Sequence, residues 1–166
     1  MKRIDTYGLK LCAFQAELFK NSAVKEACSS RIFIRRFMNS DLAARMDSPG
    51  FYFEATSIPD AFEEINLQYG KTDYGQTKYS PEELYWMGYL YRYWAYISGM
   101  SSRQLYKKAK PEELKSLYFP YHSLDPEQAI ERILEAKGIG QENDIARGVD
   151  IMRRVRNRRK NEASSN

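Results

Sequence analysis

The sequence predicts a mainly α-helical protein: a single compact multi-helix domain with a central aromatic-rich helix, a partial helix-turn-helix and a flexible basic C-terminal tail. Three observations predict it. Apolar residues recur at helical spacing from the start of the chain; serine- and aspartate-led caps followed by proline recur along it; and seven aromatic residues crowd the twelve positions from Tyr85 to Tyr96. A length of 166 residues with 43% hydrophobic and 29% charged side chains fits one domain of ordinary size, placed at 1-138, with a short helix and tail at 139-166.

The elements follow in order. Leu9, Cys12, Ala13, Ala16, Leu18 and Phe19 form the stripe of a helix from about Tyr7 to Asn21. A serine cap at Ser29-Ser30 opens a second helix expected to run on through Leu42 to Met46, with Phe33, Ile34, Phe37, Met38 and Leu42 on adjacent faces. Ile32-Phe33-Ile34 alone also fits a strand. Ser48-Pro49-Gly50 ends the unit, and Phe51 to Thr56 is a short extended or buried linker. Ser57-Ile58-Pro59-Asp60 starts a helix closed by Gly70, and Lys71 to Lys78 is a polar loop.

Ser80-Pro81-Glu82-Glu83 combines a serine cap, a first-position proline and a third-position glutamate, so a helix runs from Glu82 to Ile97 and stops at Ser98-Gly99. On it, Tyr85, Tyr89, Tyr93 and Tyr96 share one face and Trp86, Leu90, Trp94 and Ile97 another, while Gly88 admits a neighbouring backbone. A helix apolar almost all round belongs in the core; the competing reading of these rings is a surface that grips a partner or stacks bases. A helix from Ser101 or Ser102 through Ala109 and another from Pro111 to Tyr118 follow, then an irregular connector from Phe119 to Leu124. Asp125-Pro126-Glu127-Gln128 caps the next helix, which ends at Gly138. Asp144 to Met152 fits a short amphipathic helix, and Arg153 to Asn166 is expected to be loose.

The net charge of +4 conceals an asymmetry. Of 26 bases and 22 acids, seven and two fall from Arg147 onward, leaving 19 and 20 in the preceding 146 residues. The body therefore lacks the global positive field that raises non-specific nucleic-acid affinity. No run of about 18 uncharged apolar residues occurs and the start lacks a long apolar stretch, so a soluble cytoplasmic protein with no membrane contact is expected. Cys12 and Cys28 make neither a disulfide framework nor a metal spacing.

No catalytic pattern stands out, and the chain reads as a non-enzyme with no cofactor, no metal and no small-molecule substrate. His122 is the lone histidine, and no spacing joins it to a cysteine or carboxylate as a triad or metal site. Glu82-Glu83 and Glu112-Glu113 sit in first helical turns, where amide dipoles favour negative charge. Gly138-Ile139-Gly140 follows a helix and lacks the rest of a phosphate-loop pattern, so it reads as a helix stop.

The turn after the aromatic helix carries more information. Helix-turn-helix units place a small residue in the first helix, a glycine four later and an apolar residue six beyond that, because the helices pack across a tight bend; Ala95, Gly99 and Leu105 fall at those spacings. Ser98 and Lys108 depart from the pattern, standing where apolar residues are usual. The candidate DNA-binding residues are Ser101, Ser102, Arg103, Gln104, Tyr106 and Lys107, with Arg153, Arg154 and Arg156 of the tail; arginine and glutamine read base edges, and lysine and serine hold phosphates.

The stretches Ser30 to Met38, Tyr79 to Trp94 and Pro120 to Ile130 resemble small antitoxin-like proteins from toxin-antitoxin operons of Gram-positive bacteria, over roughly residues 1-138. The resemblance implies a non-enzymatic protein that binds and neutralises a toxin made by its operon neighbour, with possible autoregulatory DNA binding. The alternative is a helix-turn-helix DNA-binding regulator with no toxin partner. For partner binding, Arg35, Arg36, Tyr52, Tyr74 and Tyr79 are the candidates, expected to be exposed, since tyrosine and arginine dominate interface hot spots.

Overall fold

A computed structural model describes residues 1-51, 55-138, 149 and 151-158. The protein is mainly helical, and no strand occurs among the described residues. The chain divides into two compact units, Met1–Glu127 and Gln128–Asn166.

The first unit begins with α1 (Thr6–Lys25), capped by Asp5, whose carboxylate accepts from the Gly8 amide at 2.8 Å. Helix α2 (Ser30–Met38) starts at the Ser29 cap, so Ile32 to Ile34 is helical rather than extended. The expected run to Met46 is interrupted: Asn39 closes α2, and the Ser40 hydroxyl accepts from the Ala43 amide to open α3 (Asp41–Asp47). A second serine cap inside the apolar run is the physical reason for the break. Helix α4 (Ile58–Tyr69) has the reciprocal Ser57/Asp60 capping box and ends at Gly70, φ +76°.

Helix α5 (Pro81–Ser98) carries the Ser80/Glu83 box, and Gly99 closes it in the left-handed region at φ +71°. Helix α6 (Ser102–Lys108) is short and boxed by Ser101 and Gln104; α7 (Pro111–Tyr121) has no side-chain cap at Lys110. The irregular connector expected from Phe119 starts later than that, because α7 continues through Pro120. His122 holds the end of α7, its amide donating to the Tyr118 carbonyl at 2.8 Å. Helix α8 (Pro126–Ala136) buries Ala129, Ile130 and Ile133, and Gly138 follows it at φ +69°. Residues 151-158 are helical with every side chain exposed; of the expected helix at Asp144 to Met152, residues 144-148 and 150 lie outside the described residues.

The core of the first unit forms where α1 and α5 lie along one another. Gly88 makes this approach possible: a Cβ there would sit 2.8 Å from the Gln15 carbonyl oxygen and 3.0 Å from the Ala16 Cα. Because Gly8 of α1 likewise abuts Tyr96, the two helices run antiparallel. Phe19 then contacts two rings of α2 edge-on, Phe33 at 5.7 Å and Phe37 at 5.2 Å, and Phe33 in turn meets Phe62 of α4. The loop after α4 is tacked to the start of α2. Ser29 and Ser30 amides donate to the Tyr74 and Thr77 carbonyls, the Tyr79 amide donates to Ser30 Oγ, and the Lys78 ammonium donates to the Cys28 carbonyl at 2.5 Å.

Candidate functional site

Three features of the first unit gather the chain's polar and aromatic chemistry, and the first is the seating of α6. Arg92 is fully buried in α5, and a buried charge is tolerable only when paired and hydrogen-bonded. Its Nε donates to Gln15 Oε1 (2.8 Å), Nη1 to Asp47 Oδ1 (2.8 Å) and Nη2 to Ser102 Oγ (3.0 Å). Asp47 also accepts from the Ser102 amide (2.8 Å) and hydroxyl (2.7 Å), and Gln15 donates onward to the Gly88 carbonyl. Burial pulls the Arg92 guanidinium down while the facing Asp47 carboxylate pushes it back up. The network thus ties α1, α3, α5 and the first turn of α6 together, and at the other end of α6 the Tyr91 hydroxyl donates to the Ala109 carbonyl at 2.5 Å.

The helix-turn-helix spacing has its expected geometry locally: Ala95 and Leu105 are buried and Gly99 is left-handed. The candidate reading residues fare differently. Ser102, expected to face outward, is buried, because its backbone and side chain both serve Asp47. The exposed Gln104 spends its amide oxygen on the Ser101 amide at 2.9 Å, in the capping box that Ser101 shares. Arg103 and Lys107 are exposed, and half-buried Tyr106 lies under the Lys110 ammonium at 4.0 Å. In the second unit, Arg153, Arg154 and Arg156 line the exposed helix at 151-158.

The second feature is a basic face where α2 packs against α6. Arg103 Nη2 reaches the Asn39 carbonyl at 3.3 Å, and Arg36 lies over the Tyr69 ring at 5.4 Å with Nη1 donating to the Gly70 carbonyl at 2.5 Å. Burial raises the Tyr69 phenol pKa, with Arg103, Arg36 and Arg35 opposing the rise and Asp41 adding to it; burial likewise raises Tyr106, with Arg35 and Arg31 opposing and Glu112 adding. The structure thus brings Arg35 and Arg36 onto the same surface as Arg103 and Tyr106. Of the other partner candidates, Tyr74 is exposed on its loop, Tyr52 lies outside the described residues, and Tyr79 is buried at 6% exposure, contrary to expectation. The backbone pairing of Tyr79 to Ser30 draws its ring inward, with the Lys115 ammonium 5.7 Å from it.

The third feature is a cleft of about 550 Å³ walled by α5 on one side and by the α7 end on the other, with Lys20 of α1 at its edge. Tyr85, Trp86 and Tyr89 are half-buried along it; Tyr85, Tyr89 and Tyr93 stack in a ladder at 6.5 and 6.3 Å, and Trp86 meets Tyr118 edge-on at 5.8 Å. His122 stacks on Tyr118 at 4.6 Å, with Nδ1 2.9 Å from the Tyr118 carbonyl, so its ring is held against the helix end rather than aimed at a nucleophile. The i,i+4 spacing of Tyr118 and His122 is the sequence signal for this wall, and Pro120 between them masks it by suggesting an irregular connector.

No group of three or more His, Cys, Asp or Glu side chains suited to a metal occurs among the described residues, and no helix there is long and apolar enough to cross a membrane. Comparison of the chain with protein-family models, curated proteins and solved structures found no match.

Proposed function

We propose that the protein is a cytoplasmic, non-enzymatic antitoxin that binds and silences a toxin protein encoded beside it. The observation that carries this reading is the open aromatic cleft between α5 and α7. Its half-buried Trp86, Tyr85, Tyr89 and Tyr118 are the residue types that anchor protein interfaces, and they present large rigid rings at little entropic cost. The resemblance of the Tyr79 to Trp94 and Pro120 to Ile130 stretches to antitoxin-like proteins agrees with it, since these stretches include most of the cleft's lining. The test is co-expression. The neighbouring gene product should arrest growth alone, growth should return with this chain, and Trp86→Ala/Tyr89→Ala should abolish the rescue while leaving the chain folded. A neighbour that is harmless alone would sink the reading.

The second reading is a DNA-binding regulator without a toxin partner, and the left-handed Gly99 between buried Ala95 and Leu105 favours it, with Arg103 and Lys107 exposed on α6. Its test is a specific operator footprint that disappears in Arg103→Ala/Gln104→Ala.

A further inference from the structure

We infer that the α2–α6 face, centred on Arg35 and Arg103, is a second, electrostatic contact for the protein partner and takes carboxylates from an acidic segment of it. The inference rests on the partner-binding reading and adds a surface and a chemistry to it. Arg31, Arg35 and Arg36 of α2 and Arg103 of α6 stand on two packed helices, with Lys107 exposed on α6; Arg36 lies over the Tyr69 ring at 5.4 Å, and Arg103 reaches the carbonyl of Asn39, the residue that closes α2. Among these cations Arg31 is already paired to Glu112 at 3.1 Å, and Arg36 is held by the Gly70 carbonyl and the Tyr69 ring. Arg36 Nε is buried without an acceptor among the described residues. Arg35 is exposed, and Arg103 makes only a long contact to the Asn39 carbonyl, so these two guanidinium forks have donors to offer.

Beside Arg103 lies a hollow of about 240 Å³, lined also by Met38, Ser40, Ala44, Asp47 and Ser101. It has room for a side chain, and its one acid, Asp47, is committed to Arg92 and Ser102. An incoming carboxylate there meets a guanidinium in the planar bidentate geometry that arginine favours. Two observations set the occupant as an acidic protein segment rather than duplex DNA. The body of the chain is near neutral, with 19 bases against 20 acids before Arg147, so it lacks the field that phosphate-backbone binding draws on. Two of the three candidate readers in the first turn of α6 are also committed within the chain, Ser102 to Asp47 and the Gln104 amide oxygen to the Ser101 cap, which leaves Arg103 alone there. Tyrosine interleaved with arginine, by contrast, is the composition of a protein interface.

The experiment titrates the purified full chain against the purified neighbouring gene product at low and high salt, for wild type, Arg35→Glu/Arg103→Glu and Arg35→Lys/Arg103→Lys. The expected result is a wild-type affinity that weakens with salt, a loss of roughly 100-fold on charge reversal, and a smaller loss of about tenfold for the lysine pair, which keeps charge but not the planar fork. Circular dichroism of each variant checks folding. A wild-type complex that is insensitive to salt and to charge reversal would overturn this inference and leave the cleft reading standing. No wild-type complex at all would overturn the antitoxin reading itself, and this inference with it. A mixed-sequence DNA duplex bound by wild type and lost on charge reversal, with the protein complex unaffected, would assign the face to nucleic acid and overturn the inference also.

Discussion

The two sides of α5 make an instructive contrast, because they are built from the same residue types and do opposite things. One side presents Leu84, Gly88, Tyr91 and Arg92, all buried, with Gly88 pressed against the α1 backbone and Arg92 fixed by three side chains. The other presents Tyr85, Trp86 and Tyr89, half-buried along an open cleft. Aromatic content does not separate them. What separates them is how closely a neighbour approaches: a glycine lets the α1 backbone come within van der Waals contact on the first side, while on the second α7 meets α5 through the Trp86–Tyr118 ring contact and leaves a cleft of about 550 Å³ open beside it. One side of the helix therefore holds the fold, and the other is available to a partner.

The sharpest way to break this contrast is Arg92→Met. The substitution keeps much of the volume but leaves Asp47 and Gln15 without their buried partner, and it should cost about 3–5 kcal/mol in urea unfolding. Adding Asp47→Leu should recover part of that loss, since removing both charges is far less costly than removing one. A single Arg92→Met variant as stable as wild type would mean that the network is incidental to the core. Gly88→Ala comes next. Its methyl group would meet the Gln15 carbonyl and Phe19 at 2.8 Å, and overpacking of this kind should destabilise by about 1–3 kcal/mol. On the open side, Tyr89→Ala should lose no more than about 1 kcal/mol of stability while weakening partner binding far more.

The smallest expected effect concerns pH. Hydrogen bonds from the Gly8 amide and then the Tyr96 hydroxyl hold the Asp5 carboxyl below its ordinary range, with Lys2 adding to them. A depressed carboxylate contributes stability above its unfolded pKa and loses it as pH falls through the folded one. Wild type should therefore exceed Asp5→Asn near neutrality, and their unfolding curves should converge in acid. A gap that stays constant down to low pH would show that the charge of Asp5 plays no part.

Much of the fold was legible because caps are local. Ser57, Ser80 and Ser101 each announce a helix through the side chain that receives its first free amides, and the helices start there. Ser40 carries the same signal, but the apolar spacing continues across it, so the sequence suggests one helix where α2 and α3 are two. Pro120 misled in the other direction, because proline in a last turn forfeits one hydrogen bond without ending the helix. Arg92 is the one base of α5, yet its partners Asp47 and Ser102 lie 45 and 10 residues away, and no local pattern pairs them. The inward turn of Ser102 follows from that pairing, as does its loss as a reader of bases. The cleft was the least legible feature, since a gap between α5 and α7 depends on how two helices are placed and not on which rings they carry.

The measurement that tests the account most directly is a growth-rescue assay of wild type beside Trp86→Ala/Tyr89→Ala, each co-expressed with the neighbouring gene product, with thermal unfolding recorded for both chains. Wild type should rescue growth, the cleft variant should not, and the two should unfold with similar cooperativity. A cleft variant that is folded and rescues growth as fully as wild type would contradict the claim that the open side of α5 holds the partner.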